Sequence, residues 1–184
     1  MRVPIRHLAV ALTLCCALLV GGTACGGAGD SAQNTTAVPT ASPSTSAEQQ
    51  KFAKARFVAN AGLAAGATYQ WIVGPWRAGK FEKGTTGRKL ALVKAGVAGA
   101  FAYNRLKAAL RNAQGDPLLA KAVAPLAAGV DTLKNLPAKL RGDDSADAAA
   151  GAFESLVGQV KDAGRSAGAE VEDQVPTAAQ LSGG

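Results

Sequence analysis

The chain has 184 residues, 48% of them hydrophobic but only 5% aromatic, and 20 Lys/Arg against 13 Asp/Glu give a formal charge of +7. Its single histidine, His7, and its three cysteines, Cys15, Cys16 and Cys25, all fall in the first 25 residues. The rest therefore has neither imidazole nor thiol, which excludes Ser-His-Asp and Cys-His nucleophile systems, histidine general bases, disulfides, and zinc sites built on Cys or His. A non-enzymatic protein without metal or cofactor is expected.

The N-terminus has the three parts of an export signal in order. Arg2 and Arg6 precede an uncharged, mostly apolar run from Leu8 to Val20. That run is too short for a comfortable bilayer span of about twenty residues. Small residues Gly21-Gly22-Thr23-Ala24 then lead to Cys25, so residues 1–24 are predicted to be a cleaved signal peptide. This ending resembles the lipobox of bacterial lipoproteins, with Gly22 where a branched apolar residue is usual. The resemblance implies that Cys25 is joined to diacylglycerol, becomes the new N-terminus and anchors the chain to the extracytoplasmic face of the cell membrane. The alternative is an ordinary cut near Ala24 that releases a soluble protein.

Residues 26–47 carry one charge, no aromatic residue and abundant Gly, Ser, Thr and Pro. Such a stretch cannot bury enough apolar surface to offset its ordering entropy. Residues 25–47 are accordingly expected to be the lipidated cysteine and a disordered tether, whose Ser/Thr/Pro content suits O-glycosylation.

From residue 48 to 176 the pattern is helical almost throughout, with Gly and Pro as punctuation. Ser46 with Gln49 three residues on predicts a capping box for the first helix. Phe52, Ala55, Ala59, Leu63 and Gly66 recur at helical spacing before Gly74-Pro75 ends or kinks the helix. A loop follows, broken most clearly at Gly84-Thr85-Thr86-Gly87. The second long helix, about Arg88 to Asn112, has only Lys94 as a charge between Leu90 and Asn104, the pattern of a central, largely buried helix.

Asp116-Pro117 predicts an N-cap and a first-position proline, and Leu119, Val123, Leu126, Val130 and Leu133 then form a packing seam that Pro125 should kink or divide. The fourth helix is expected from Asp144 or Ser145 to Pro176, with Phe153, Leu156, Val157, Val160, Gly164, Ala167 and Val171 on its apolar stripe. Residues 177–184 are expected to be a disordered tail. Four helical segments with short connections predict an all-α, antiparallel bundle with an Ala/Gly-rich core. The Ala/Gly-rich composition and this layout resemble small lipoproteins of actinobacteria, a likeness of style that transfers no residue roles.

Charge is divided along the chain. Residues 51–112 carry twelve Lys/Arg against Glu82, whereas residues 142–175 carry eight Asp/Glu against Lys161 and Arg165. A basic half can bind nucleic acid, but an exported chain does not meet it, so acidic and basic helices packed side by side are the expectation.

Three constellations stand out. Phe57 to Trp76 is twenty residues without a charge and contains Gly62-x-x-x-Gly66. Asn60, Thr68, Gln70 and Pro75 speak against a membrane span, and the Gly/Ala face is expected to pack on the second long helix. Asp143, Ser145, Asp147 and Glu154 fall at positions 1, 3, 5 and 12 of an EF-hand-like frame. Position 6, where the calcium loop requires glycine, is Ala148, so a capped helix with acids in its first turn is preferred.

The third constellation is a basic aromatic loop over residues 71–89, with Trp71, Trp76, Arg77, Lys80, Phe81 and Lys83 as the candidate binding surface. Aromatics beside cations can hold an anionic amphipathic partner, or the same aromatics can plug the end of the bundle. The expected function is that of a lipid-anchored extracytoplasmic binding or scaffolding protein of the cell envelope. The alternative is a protein acting on the membrane or an anionic envelope polymer through this loop. In addition to the membrane reached by the lipid, an envelope protein or such a polymer is the partner expected, and not nucleic acid.

Overall fold

The computed structural model describes residues 45–141 and 145–182. The expected signal peptide, Cys25, the tether up to residue 44, and Asp143 and Asp144 lie outside the described residues.

Helix α1 (Ser46–Thr68) is capped one residue earlier than expected. Thr45, not Ser46, is the N-cap: the Glu48 N–H donates to Thr45 Oγ1 at 3.2 Å, and the Thr45 N–H donates back to Glu48 Oε2 at 3.2 Å. Thr45/Glu48 and Ser46/Gln49 both fit the capping-box pattern. The carboxylate gives the charged acceptor and places a negative charge at the helix N-terminus, which the amide of Gln49 does not.

The helical path does not stop at Gly74-Pro75. It widens into a π-helical segment, Tyr69–Val73, and continues as α2 (Gly74–Arg77). Pro75 has no N–H to offer the preceding turn and its ring needs room there; one wide turn supplies both. Gly74 closes that turn by donating to the Tyr69 carbonyl, and a Cβ on Gly74 would lie 2.9 Å from the same oxygen.

Helix α3 (Arg88–Ala113) runs antiparallel to α1. Gly115, just past its end, approaches Ala53, Arg105 donates to Asn60 Oδ1 at 3.4 Å, and Lys94 lies over Trp71, so partners descend one chain as they ascend the other. The next stretch is divided as proline requires. It comprises α4 (Pro117–Val123), a 3-10 turn containing Pro125 (Ala124–Leu126), α5 (Ala127–Thr132), a second 3-10 turn (Leu133–Asn135) and α6 (Leu136–Arg141). Asp116 caps α4, accepting from the Leu119 N–H at 2.8 Å, and Leu119, Val123, Val130 and Leu133 are buried. Helix α7 (Ala146–Ser166) returns against α1, with Phe57 meeting Gly164. Every long element is helical, and no strand occurs among the described residues. The architecture is an all-α antiparallel bundle.

Its core holds four buried phenylalanines, Phe57, Phe81, Phe101 and Phe153, set among alanines and branched aliphatics. Glycines make the fit: a Cβ on Gly99 would meet Leu140 at 3.0 Å and Phe153 at 3.2 Å. Small residues bring helix axes together, and dense contact replaces bulk.

Three expectations are corrected here. Helix α7 ends at Ser166 rather than near Pro176. Gly168 takes φ +67°, the Ala169 N–H donates to Gly164 O at 2.8 Å and the Gly168 N–H to Arg165 O at 3.1 Å, a Schellman motif. Beyond it the chain runs extended, with Ala169 and Val171 buried and Glu170 and Glu172 exposed.

The Gly62/Gly66 face therefore meets this extended segment, not α3: the Gln174 N–H donates to Gly62 O at 2.9 Å. Finally, the expected disordered tail contains α8 (Ala178–Ser182). Thr177 and Gln180 form its capping box, the Thr177 N–H donating to Gln180 Oε1 at 2.8 Å and the Gln180 N–H to Thr177 Oγ1 at 3.3 Å.

Candidate functional site

Helix α3 has more apolar circumference than its neighbours cover. Leu92, Ala95, Ala98, Ala102 and Leu106 point into the core. Leu90, Val93 and Val97, at spacings of three and four, form a second stripe on the outside, with 61%, 51% and 44% of their surface exposed. The helix is central, as expected, but not largely buried: one apolar face is open to solvent. Exposed apolar patches of this kind mark interaction sites more often than single exposed residues do.

Two contiguous hollows flank the stripe. One, of about 200 Å³, lies between Trp71, Val93 and Val97 on one side and Ala178 and Leu181 of α8 on the other, with Lys94 at its margin. The second, of about 250 Å³, is bounded by Gln70, Trp71, Pro75, Lys80, Leu90 and Lys94. Trp71 and Lys94 belong to both. The Lys94 ammonium sits 5.8 Å from the Trp71 ring centroid, within cation–π range. The Trp71 indole N–H is buried and has no hydrogen-bond partner, a costly state for a donor. Between Glu82 and Asp116 the sequence has no carboxylate, so the whole of α3 presents cations alone.

The basic aromatic loop is split by the fold. Phe81 is buried in the core, and its carbonyl accepts from Arg88 Nε at 2.7 Å. Trp76 is half-buried against the core. Arg77 points to α7, where it pairs with Glu154. Lys80 is exposed at the second hollow, and Lys83 is exposed on the turn beyond it. Trp71 and Lys80 are thus brought together beside α3, whereas Phe81 and Arg77 serve packing and pairing. The π-helical segment positions Trp71: the wide turn ahead of Pro75 sets where its indole emerges.

Residues 90, 93, 94, 97 and 181 were not singled out from sequence. Their signal was present in α3's excess of apolar residues and in Thr177-x-x-Gln180, which marks a helix start near the C-terminus.

Elsewhere, a larger hollow of about 460 Å³ lies at the opposite end of α1 and α3, beside Phe52, Arg56 and Arg111. Phe52 is its one large exposed apolar side chain, so it lacks a stripe. The acidic and basic halves meet at Arg77–Glu154 and at Lys54, whose ammonium donates to the Ala167 carbonyl at 2.8 Å and lies 3.7 Å from Asp116. Lys107 is held above the usual lysine range by its hydrogen bonds to Asp131 and then Tyr103. Of the EF-hand-like frame, Glu154 is engaged by Arg77, and no cluster of three or more His, Cys, Asp or Glu that could hold a metal occurs among the described residues. No described helix is long and apolar enough to cross a membrane.

Compared with protein families, curated proteins and solved structures, the chain matches none.

Proposed function

We propose that this chain is a lipid-anchored, extracytoplasmic protein of the cell envelope that acts by binding rather than by chemistry, and that the outer face of α3 is its working surface, resting on anionic lipid. The supporting observation is the exposed stripe Leu90, Val93 and Val97 flanked by Lys80, Lys89 and Lys94, with no carboxylate from residue 83 to 115. An apolar stripe between cations suits a bilayer interface, where aliphatic side chains enter the headgroup boundary and each lysine contributes on the order of 1 kcal/mol toward an anionic surface. The diacylglyceryl group on Cys25, with its two acyl chains, would anchor the chain and hold the domain close to that surface.

The test is co-sedimentation of residues 26–184, which contain every described core residue, with phosphatidylglycerol and with phosphatidylcholine vesicles. Binding to the anionic vesicles that weakens with salt is expected, and its loss in the Leu90→Ser, Val93→Ser, Val97→Ser triple variant. Absence of binding at low salt, or undiminished binding by the triple variant, refutes the proposal and leaves an envelope protein as the partner to seek.

A further inference from the structure

The two hollows beside Trp71 differ in chemistry and share a wall. One is bounded by aliphatic side chains of α3 and α8; the other has Lys80 and Lys94 on its rim. We infer that together they form a site for one fatty acid, its hydrocarbon chain lying between Val93, Val97, Ala178 and Leu181 and its carboxylate at Lys94 and Lys80. This inference rests on taking the outer α3 face as the working surface.

Size and charge choose the occupant. A cleft of about 200 Å³ is below the roughly 300–1,000 Å³ of sites for drug-sized molecules and suits a single chain, not a two-chain lipid. A second copy of this face would bring lysine against lysine, an unfavourable pairing. A fatty acid provides the missing negative charge. Because Lys94 lies over the indole, its ammonium is held at the junction of the two hollows, where the head of a bound chain would lie.

Helix α8 makes the site readily accessible. It is five residues long, attaches chiefly through the half-buried Leu181, and forms one wall of the apolar cleft. A chain entering there displaces few contacts.

The experiment is isothermal titration of residues 26–184 with dodecanoate below its micelle concentration, with dodecanol as the uncharged control. Saturable binding with one-to-one stoichiometry is expected, at least about tenfold weaker for dodecanol. Lys94→Met, which keeps the apolar stem, should weaken dodecanoate to the level of dodecanol. Ala178→Trp, which fills the cleft from α8, should abolish binding of both ligands while phosphatidylglycerol vesicle binding is retained. Non-saturable uptake by the parent chain overturns the inference, as does equal affinity for the two ligands or unchanged binding by Lys94→Met. If Ala178→Trp lowers the melting temperature, Lys94→Met decides. Vesicle binding without dodecanoate binding sinks this inference alone; dodecanoate binding without vesicle binding sinks the membrane surface alone.

Discussion

The backbone of Gln174 lies directly on the Cα of Gly66, so that a methyl group at residue 66 would overlap the Gln174 carbonyl. One turn earlier, Gly62 accepts a hydrogen bond from the Gln174 N–H. The extended segment after α7 is thus fastened to α1 through two glycines, and α8 follows it.

That contact sets the sign of a substitution. By helix propensity alone, Gly66→Ala should stabilise by about 1 kcal/mol. Against a backbone that cannot turn aside as a side chain does, we expect destabilisation of about 1–3 kcal/mol instead, read from urea unfolding. The Gln174 amide should also exchange faster with solvent, because the segment must lift to make room. A more stable Gly66→Ala protein would place residues 172–175 away from α1.

Asp116 performs two tasks, capping α4 through Leu119 and pairing with Lys54. Asp116→Ala should cost about 1–2 kcal/mol through the lost cap. Asp116→Asn keeps a capping oxygen and removes only the charge, so thermal unfolding should find it much closer to the parent. Equal losses for the two would assign the effect to the ion pair.

Within the aromatic loop the structure separates packing from surface. Phe81→Ala should lower stability by about 3–5 kcal/mol, the cost of emptying a core phenylalanine site. Lys80→Glu should leave the melting temperature nearly unchanged while reducing binding to phosphatidylglycerol vesicles. Arg77→Glu is a poorer probe of binding, since it sets a second carboxylate against Glu154. A folded, stable Phe81→Ala protein would mean that the loop is not pinned by that ring.

Lipidation at Cys25 is tested by labelling the expressed protein with a fatty-acid probe. The parent chain should label and partition into detergent, and Cys25→Ser should do neither. Recovery of the unsubstituted protein entirely from the culture medium would refute anchoring.

Much of the bundle was legible before any coordinates, because its signals are local. Asp116-Pro117 marks a helix start, Pro125 divides a helix, the Gly84–Gly87 cluster breaks one, and the Leu119-to-Leu133 seam repeats at the spacing that buries one helical face. Each depends on residues within a turn or two of one another. The end of α7 was also written locally, in Gly168 and the alternation Ala169-Glu170-Val171-Glu172, yet Ala167 and Val171 continue the helical stripe equally well. Two periods fit the same residues. The choice is made by Gly62 and Gly66, a hundred residues away, which leave room for extended backbone and none for another helix.

The candidate site depended on tertiary structure more than the fold did. Composition shows that α3 is apolar on more than one side and that cations flank it. It does not show which side the rest of the bundle covers. Burial is decided by which elements are left to pack on a helix: α1, α6 and Phe153 of α7 occupy the Ala95–Leu106 face, and among the described residues Trp71 and the short α8 alone reach the face carrying Val93 and Val97. For the same reason Phe81, inseparable from Trp71 by sequence, became core, while Trp71, turned by the π-helical segment, came to stand beside Lys94 at an open apolar surface.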